Sequence, residues 1–197
     1  MHSNLFWSYQ VRYLNVTAKI FLVLIFTSLP IDILSLIVSN KGNSNLYLLR
    51  INTIVEFSLL SLFFASIFSR KIIKQSIALI IILFSGIAGF DFYKNGTTGI
   101  DSLSTTIEAM LIMIYVLGVF YKLITRTTHV NILSVPLFWF SSGILLYFSG
   151  NFALFIFEEF VIGQDTSLST SLWTIHSVIH ILFHFIITFG FWKTKNI

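Results

Sequence analysis

His176, His180 and His184 fall four residues apart in the last apolar stretch of the chain. At 3.6 residues per turn they share one helix face, drifting about 40° per step. Two imidazoles one helical turn apart can hold a metal ion between them. A carboxylate from another helix would complete a two-histidine, one-carboxylate centre able to activate water. Two carboxylates are placed for that role. Glu56 lies deep in an apolar run, with Asn52 one turn before it. Asp32 lies in an earlier run, with Ser28 and Ser35 on its face at i−4 and i+3. The metal candidates are therefore His176 and His180, and the catalytic candidates are Glu56 and Asp32. The wider buried polar cluster is Asp32, Asn52, Glu56, His176, His180 and His184. The same histidines also fit neutral imidazoles bonded across helices, or a proton-linked or ligand-sensing group. The first expectation is no cofactor, with a divalent metal as the minority reading.

These residues must be positioned by helices. Of 197 residues, 56% are hydrophobic, 10% are charged and 22 are phenylalanine. A soluble domain carries roughly 25% charged residues. The apolar runs are long, continuous and non-alternating, and in hydrocarbon only helices or closed barrels satisfy every backbone group. The expected fold is all-α, a polytopic transmembrane bundle forming a single integral-membrane domain over 1–197. Its six spans cover about 17–38, 46–69, 72–93, 105–124, 132–157 and 171–192, after an aromatic interfacial lead-in at 1–16. Pro30 kinks the first span, which is read as uncleaved because no small-residue cleavage site follows Val38. Pro136 sits in the first turn of span five, where proline is tolerated.

The charges set an orientation. With six spans, Arg12, Lys19, Arg70, Lys71, Lys74, Lys122, Arg126, Lys193 and Lys195 share one side. Lys41, Arg50 and Lys94 share the other. Nine against three places both termini in the cytoplasm of a cell (inner) membrane protein. Asp91, Glu108, Glu158 and Glu159 then read as membrane-interface residues on the outer side. The net charge of +4 belongs to topology, so no nucleic acid is expected. The absence of cysteine excludes disulfides and thiolate metal sites. Small residues suggest close helix packing. They are Ser58, Ser61 and Ala65 in span two, Ser85, Gly86 and Gly89 in span three, and the pairs Ser142-Gly143 and Ser149-Gly150 in span five.

Four segments carry a resemblance. They are TIVEFSLLSLFF around Glu56, TIEAMLIMIY around Glu108, PLFWFSSGILLYFSGNF at 136–152, and LWTIHSVIH at 172–180. Together they resemble an uncharacterised family of small polytopic inner-membrane proteins of Gram-negative bacteria. That resemblance implies a polytopic membrane fold and supplies no catalytic residues. The last-span His-x-x-x-His also resembles the membrane hydrolases of the alkaline ceramidase and adiponectin-receptor type. Their pattern needs a further histidine and serine in an early helix and seven spans. Here no other span holds a histidine.

The chemistry leaves three function classes. The first expectation is a sensory or accessory membrane protein that binds a partner or small ligand within its bundle. Its partners would be the bilayer and a membrane protein or a second copy. The alternatives are a metal-dependent membrane hydrolase using the span-six histidines with Glu56 or Asp32, and a small proton-coupled transporter.

Overall fold

The computed structural model describes residues 45–96, 102–126, 131–161 and 166–194. It also describes Lys19, Ile20, Val23, Leu24, Phe26, Thr27, Pro30, Ile31, Ile33, Leu34, Ser35, Ile37, Val38, Lys41 and Gly42. Those between 19 and 38 are all helical and are called α1. They are followed by α2 (Leu46–Ile67), α3 (Lys71–Asn95), α4 (Ser102–Arg126), α5 (Pro136–Val161) and α6 (Thr166–Thr194). No strand occurs among the described residues. Five helices, α2 to α6, are long and apolar enough to cross a membrane. The lead-in at 1–16 lies outside the described residues.

The helix ends have local causes. Helix α3 stops at Gly96, whose φ of +64° favours glycine and whose N–H bonds the Phe92 carbonyl at 2.9 Å. Span five, expected from about 132, begins as a helix only at Pro136. Val135 is extended, as a residue before proline must be (φ −89°, ψ 115°). Residues Ile132–Ser134 form a single 3₁₀ turn instead. The Asn131 side chain caps that turn by accepting from the Leu133 N–H at 3.0 Å. The Trp139 Nε1–H closes it by bonding the Leu133 carbonyl at 2.8 Å.

The chain divides into two compact units, Met1–Ser104 and Thr105–Ile197. In the first, α2 and α3 form an antiparallel hairpin across the short connector 68–70. Phe57 meets Phe84 with centroids 4.2 Å apart, and Arg50 meets Asp91. The partner's number falls as the first rises. Phe57, Phe63, Phe64, Ile67 and Phe84 are fully buried there. At the start of α2, the Asn45 Nδ2 donates to the buried Ser35 hydroxyl of α1 at 2.6 Å.

In the second unit, α5 and α6 form another antiparallel pair. Phe140 meets Phe191 edge-on at 4.9 Å and Trp139 meets Phe189 edge-on at 4.5 Å. Phe120 of α4 meets Phe138 of α5 at 5.7 Å. The approach of α5 to α6 depends on glycine. A Cβ on Gly150 would lie 2.6 Å from Ile179, and one on Gly143 would lie 3.1 Å from Ile187. Their seven-residue spacing, two helical turns, keeps both on one face, as their packing role requires. Gly86 and Gly89 of α3 behave otherwise. A Cβ on either would meet nothing within 4 Å among the described residues. The close packing expected there is absent, and these glycines sit on an exposed face.

Many hydroxyls in these helices bond their own backbone one turn back. Thr53 bonds Leu49 O, Ser58 bonds Ile54 O, Thr174 bonds Thr170 O and Thr188 bonds His184 O, at 2.7–3.1 Å. Such bonds satisfy the hydroxyl proton without any neighbour, which suits a helix in hydrocarbon.

Candidate functional site

The richest polar geometry lies along the α5–α6 seam. Asn151 is 2% exposed, and its Oδ1 lies 2.9 Å from the Nδ1 of His176. In the tautomer protonated at Nδ1, the imidazole N–H donates to that amide oxygen. The ring of His180 lies parallel to that of His176, 6.2 Å between centroids with 8° between planes. Tyr147, one turn before Asn151, places its ring 6.3 Å from His176 and 5.7 Å from His180. His184 meets His180 edge-on at 4.5 Å. The antiparallel pairing builds this cluster. Tyr147 and Asn151 share one face of α5 and descend it as the histidines ascend α6.

The sequence singled out the three histidines and placed them on one face, and the helix does so. Tyr147 was missed. Its signal was present, because Gly143, Tyr147 and Gly150 recur at four- and three-residue spacing and so share the face that meets α6. The histidines also differ in setting. His176 is half-buried and its ring is bonded to Asn151, whereas the His180 and His184 rings are exposed and meet other rings.

Of the carboxylates expected to join them, one is described. Glu56 is half-buried in α2 of the first unit. Asn52, one turn before it, has a buried Oδ1 with no hydrogen bond among the described residues. Asp32 lies outside the described residues. Among those that are described, no three His, Asp or Glu side chains converge as a metal centre needs.

Two further charged side chains are buried. Arg50, counted on the outer side with Lys41 and Lys94, is 4% exposed and pairs with Asp91 at 3.4 Å. Its guanidinium carbon also lies 5.8 Å from the Phe92 ring centroid, within cation–π range. Glu108 was read as a membrane-interface residue. It is 4% exposed, on the buried stripe of α4 with Ser104, Ile112 and Tyr115. Glu158 and Glu159 lie in the last turns of α5, and their side chains are outside the description. No protein family, curated protein or solved structure matches this chain.

The Asn151–His176 contact has a measurable role. Asn151→Leu removes the Asn151 partner of the half-buried His176 imidazole and is expected to cost roughly 1–2 kcal/mol. The double variant Asn151→Leu/His176→Leu should recover part of that loss, because no polar group is then stranded. Thermal unfolding in detergent, followed by tryptophan fluorescence, reads both. A double variant no more stable than Asn151→Leu would remove the contact from the account.

Proposed function

We propose that this chain is a multi-pass protein of a cell (inner) membrane, with both termini cytoplasmic. It acts as an accessory or sensory component that binds a partner or small ligand through its α5–α6 pair. The observation that carries the reading is the state of α6. Within its membrane-length stretch only 6% of residues are buried, against 33% in α5. Yet that stretch exposes His180 and His184. An imidazole cannot bond its own helix as the neighbouring threonines do. Facing hydrocarbon, its N–H would go unsatisfied, at a cost of several kcal/mol. A polar residue at that depth is a functional position by default. The nine-to-three split of basic residues supports the orientation.

The test is the mass of the particle purified from native membranes in mild detergent. Light scattering is expected to find protein mass beyond the 22.5 kDa chain, or native mass spectrometry a bound small molecule. His180→Leu/His184→Leu should release either without lowering the melting temperature. A bare single chain unaffected by the substitutions would end this reading. Elemental analysis of the same sample separates the hydrolase alternative. A near-stoichiometric metal lost in His176→Ala/His180→Ala would put that alternative first.

A further inference from the structure

Thr170, Thr174, Ser177, Ile181, His184 and Thr188 succeed one another at spacings of four, three, four, three and four residues along α6. All six are exposed. These spacings average about 3.6 residues, the repeat of the helix itself, so the six stay on one face along its whole length. The 18-residue stretch spans about 27 Å at 1.5 Å per residue, close to the roughly 30 Å of a bilayer core. His180 flanks the stripe and touches His184 at 4.5 Å. The opposite exposed flank starts at Ser171 and is otherwise apolar: Ile175, Val178, Leu182 and Phe185. A single helix thus presents one flank suited to lipid and one suited to another helix.

We infer that the stripe is covered by the α6 of a second copy of this chain, around a two-fold axis along the membrane normal. This rests on the reading that the chain crosses a bilayer and binds a partner there. Three features select a second copy. From Thr166 to Trp192 the helix carries no Asp, Glu, Lys or Arg, so nothing on the face demands an oppositely charged partner. A neutral imidazole has one donor and one acceptor, so it can bond another imidazole. A two-fold axis sets each residue of such a stripe opposite itself or its near neighbours. His180 and His184 would then satisfy one another across the axis. The small Ser and Thr side chains, two of them already bonded to their own backbone, let the helices come close.

The chain has no cysteine, so single cysteines report the face directly in intact membranes. Ser177→Cys, Ile181→Cys and Thr188→Cys are expected to form disulfide-linked dimers on mild oxidation. Val178→Cys and Leu182→Cys, on the apolar flank, should give several-fold less. In the Ile181→Cys background, His180→Leu/His184→Leu should weaken association roughly five- to thirtyfold, the loss of one or two interhelical bonds. Equal cross-linking on both flanks, or no change on removing the imidazoles, overturns the inference. Stripe cysteines joined to a different protein overturn the second copy while leaving the partner reading intact. Stripe cysteines that join nothing, with no bound molecule on the purified particle, overturn both. Melting of each variant in detergent separates lost pairing from lost fold.

Discussion

Replacing Gly190 with leucine is expected to unlock α5 from α6 and lower stability by about 3 kcal/mol or more. The reason is what surrounds the position. A Cβ on Gly190 would lie 2.9 Å from Cε1 and 3.0 Å from Cδ1 of Phe140, and 3.2 Å from Cβ of Trp139. Phe140 is 1% exposed and wedged against Phe191, so its ring cannot swing away. Trp139 is held by its bond to the Leu133 carbonyl and by its edge contact with Phe189. The added side chain must therefore push the helices apart along the seam that holds Asn151 against His176. Gly190→Ala sets that clash against a gain of about 1 kcal/mol in helix propensity, and should be mildly destabilising. Gly89→Ala in α3 has the same propensity gain and nothing within 4 Å to strike. It should be neutral or slightly stabilising. Thermal melts of the three proteins in one detergent check the order. Gly190→Leu melting with the parent would mean that this close approach does not hold the pair together.

Breaking the Arg50–Asp91 pair is the second large effect. Both groups are withdrawn from solvent, 4% and 13% exposed. Asp91→Asn takes the Asp91 charge away from the buried Arg50 guanidinium, and removing one partner of a buried pair costs about 3–5 kcal/mol. Removing both should be milder. Arg50→Met/Asp91→Leu replaces the charges with apolar bulk, and such exchanges are often neutral or stabilising. The expected order of melting is the parent and the double variant together, with Asp91→Asn well below. If Asp91→Asn and the double variant fall equally, the two residues act independently. The pair would then owe nothing to charge.

The helices were legible because apolar continuity is a direct imprint of the solvent. The observed α2, α3, α4 and α6 begin and end within a few residues of the expected spans. Span five begins late because an extended residue before Pro136 is a local steric demand that hydropathy does not carry. Register was not legible. Arg50 and Asp91 are far apart in the chain, and only the antiparallel hairpin reveals them as neighbours. The same holds for Tyr147, whose relation to His176 and His180 exists only once α5 and α6 are set side by side. Depth along a helix was read for Glu108, but rotation about its axis was not, and rotation decides whether a carboxylate meets solvent or the interior. Of the small-residue faces, Gly143 and Gly150 pack and Gly86 and Gly89 do not. Composition says that a backbone can be approached, not that anything approaches it.

The hairpin of α2 and α3 also has a consequence for biosynthesis. Arg50 leaves the ribosome 41 residues ahead of Asp91, by subtraction of their numbers. Until the later helix is made, the earlier one carries a positive charge that the finished protein keeps out of water. The two helices are therefore best delivered to the lipid together, as one hairpin with Arg50 already beside Asp91. A nascent chain stopped between them would hold α2 at the insertion machinery, waiting for its carboxylate.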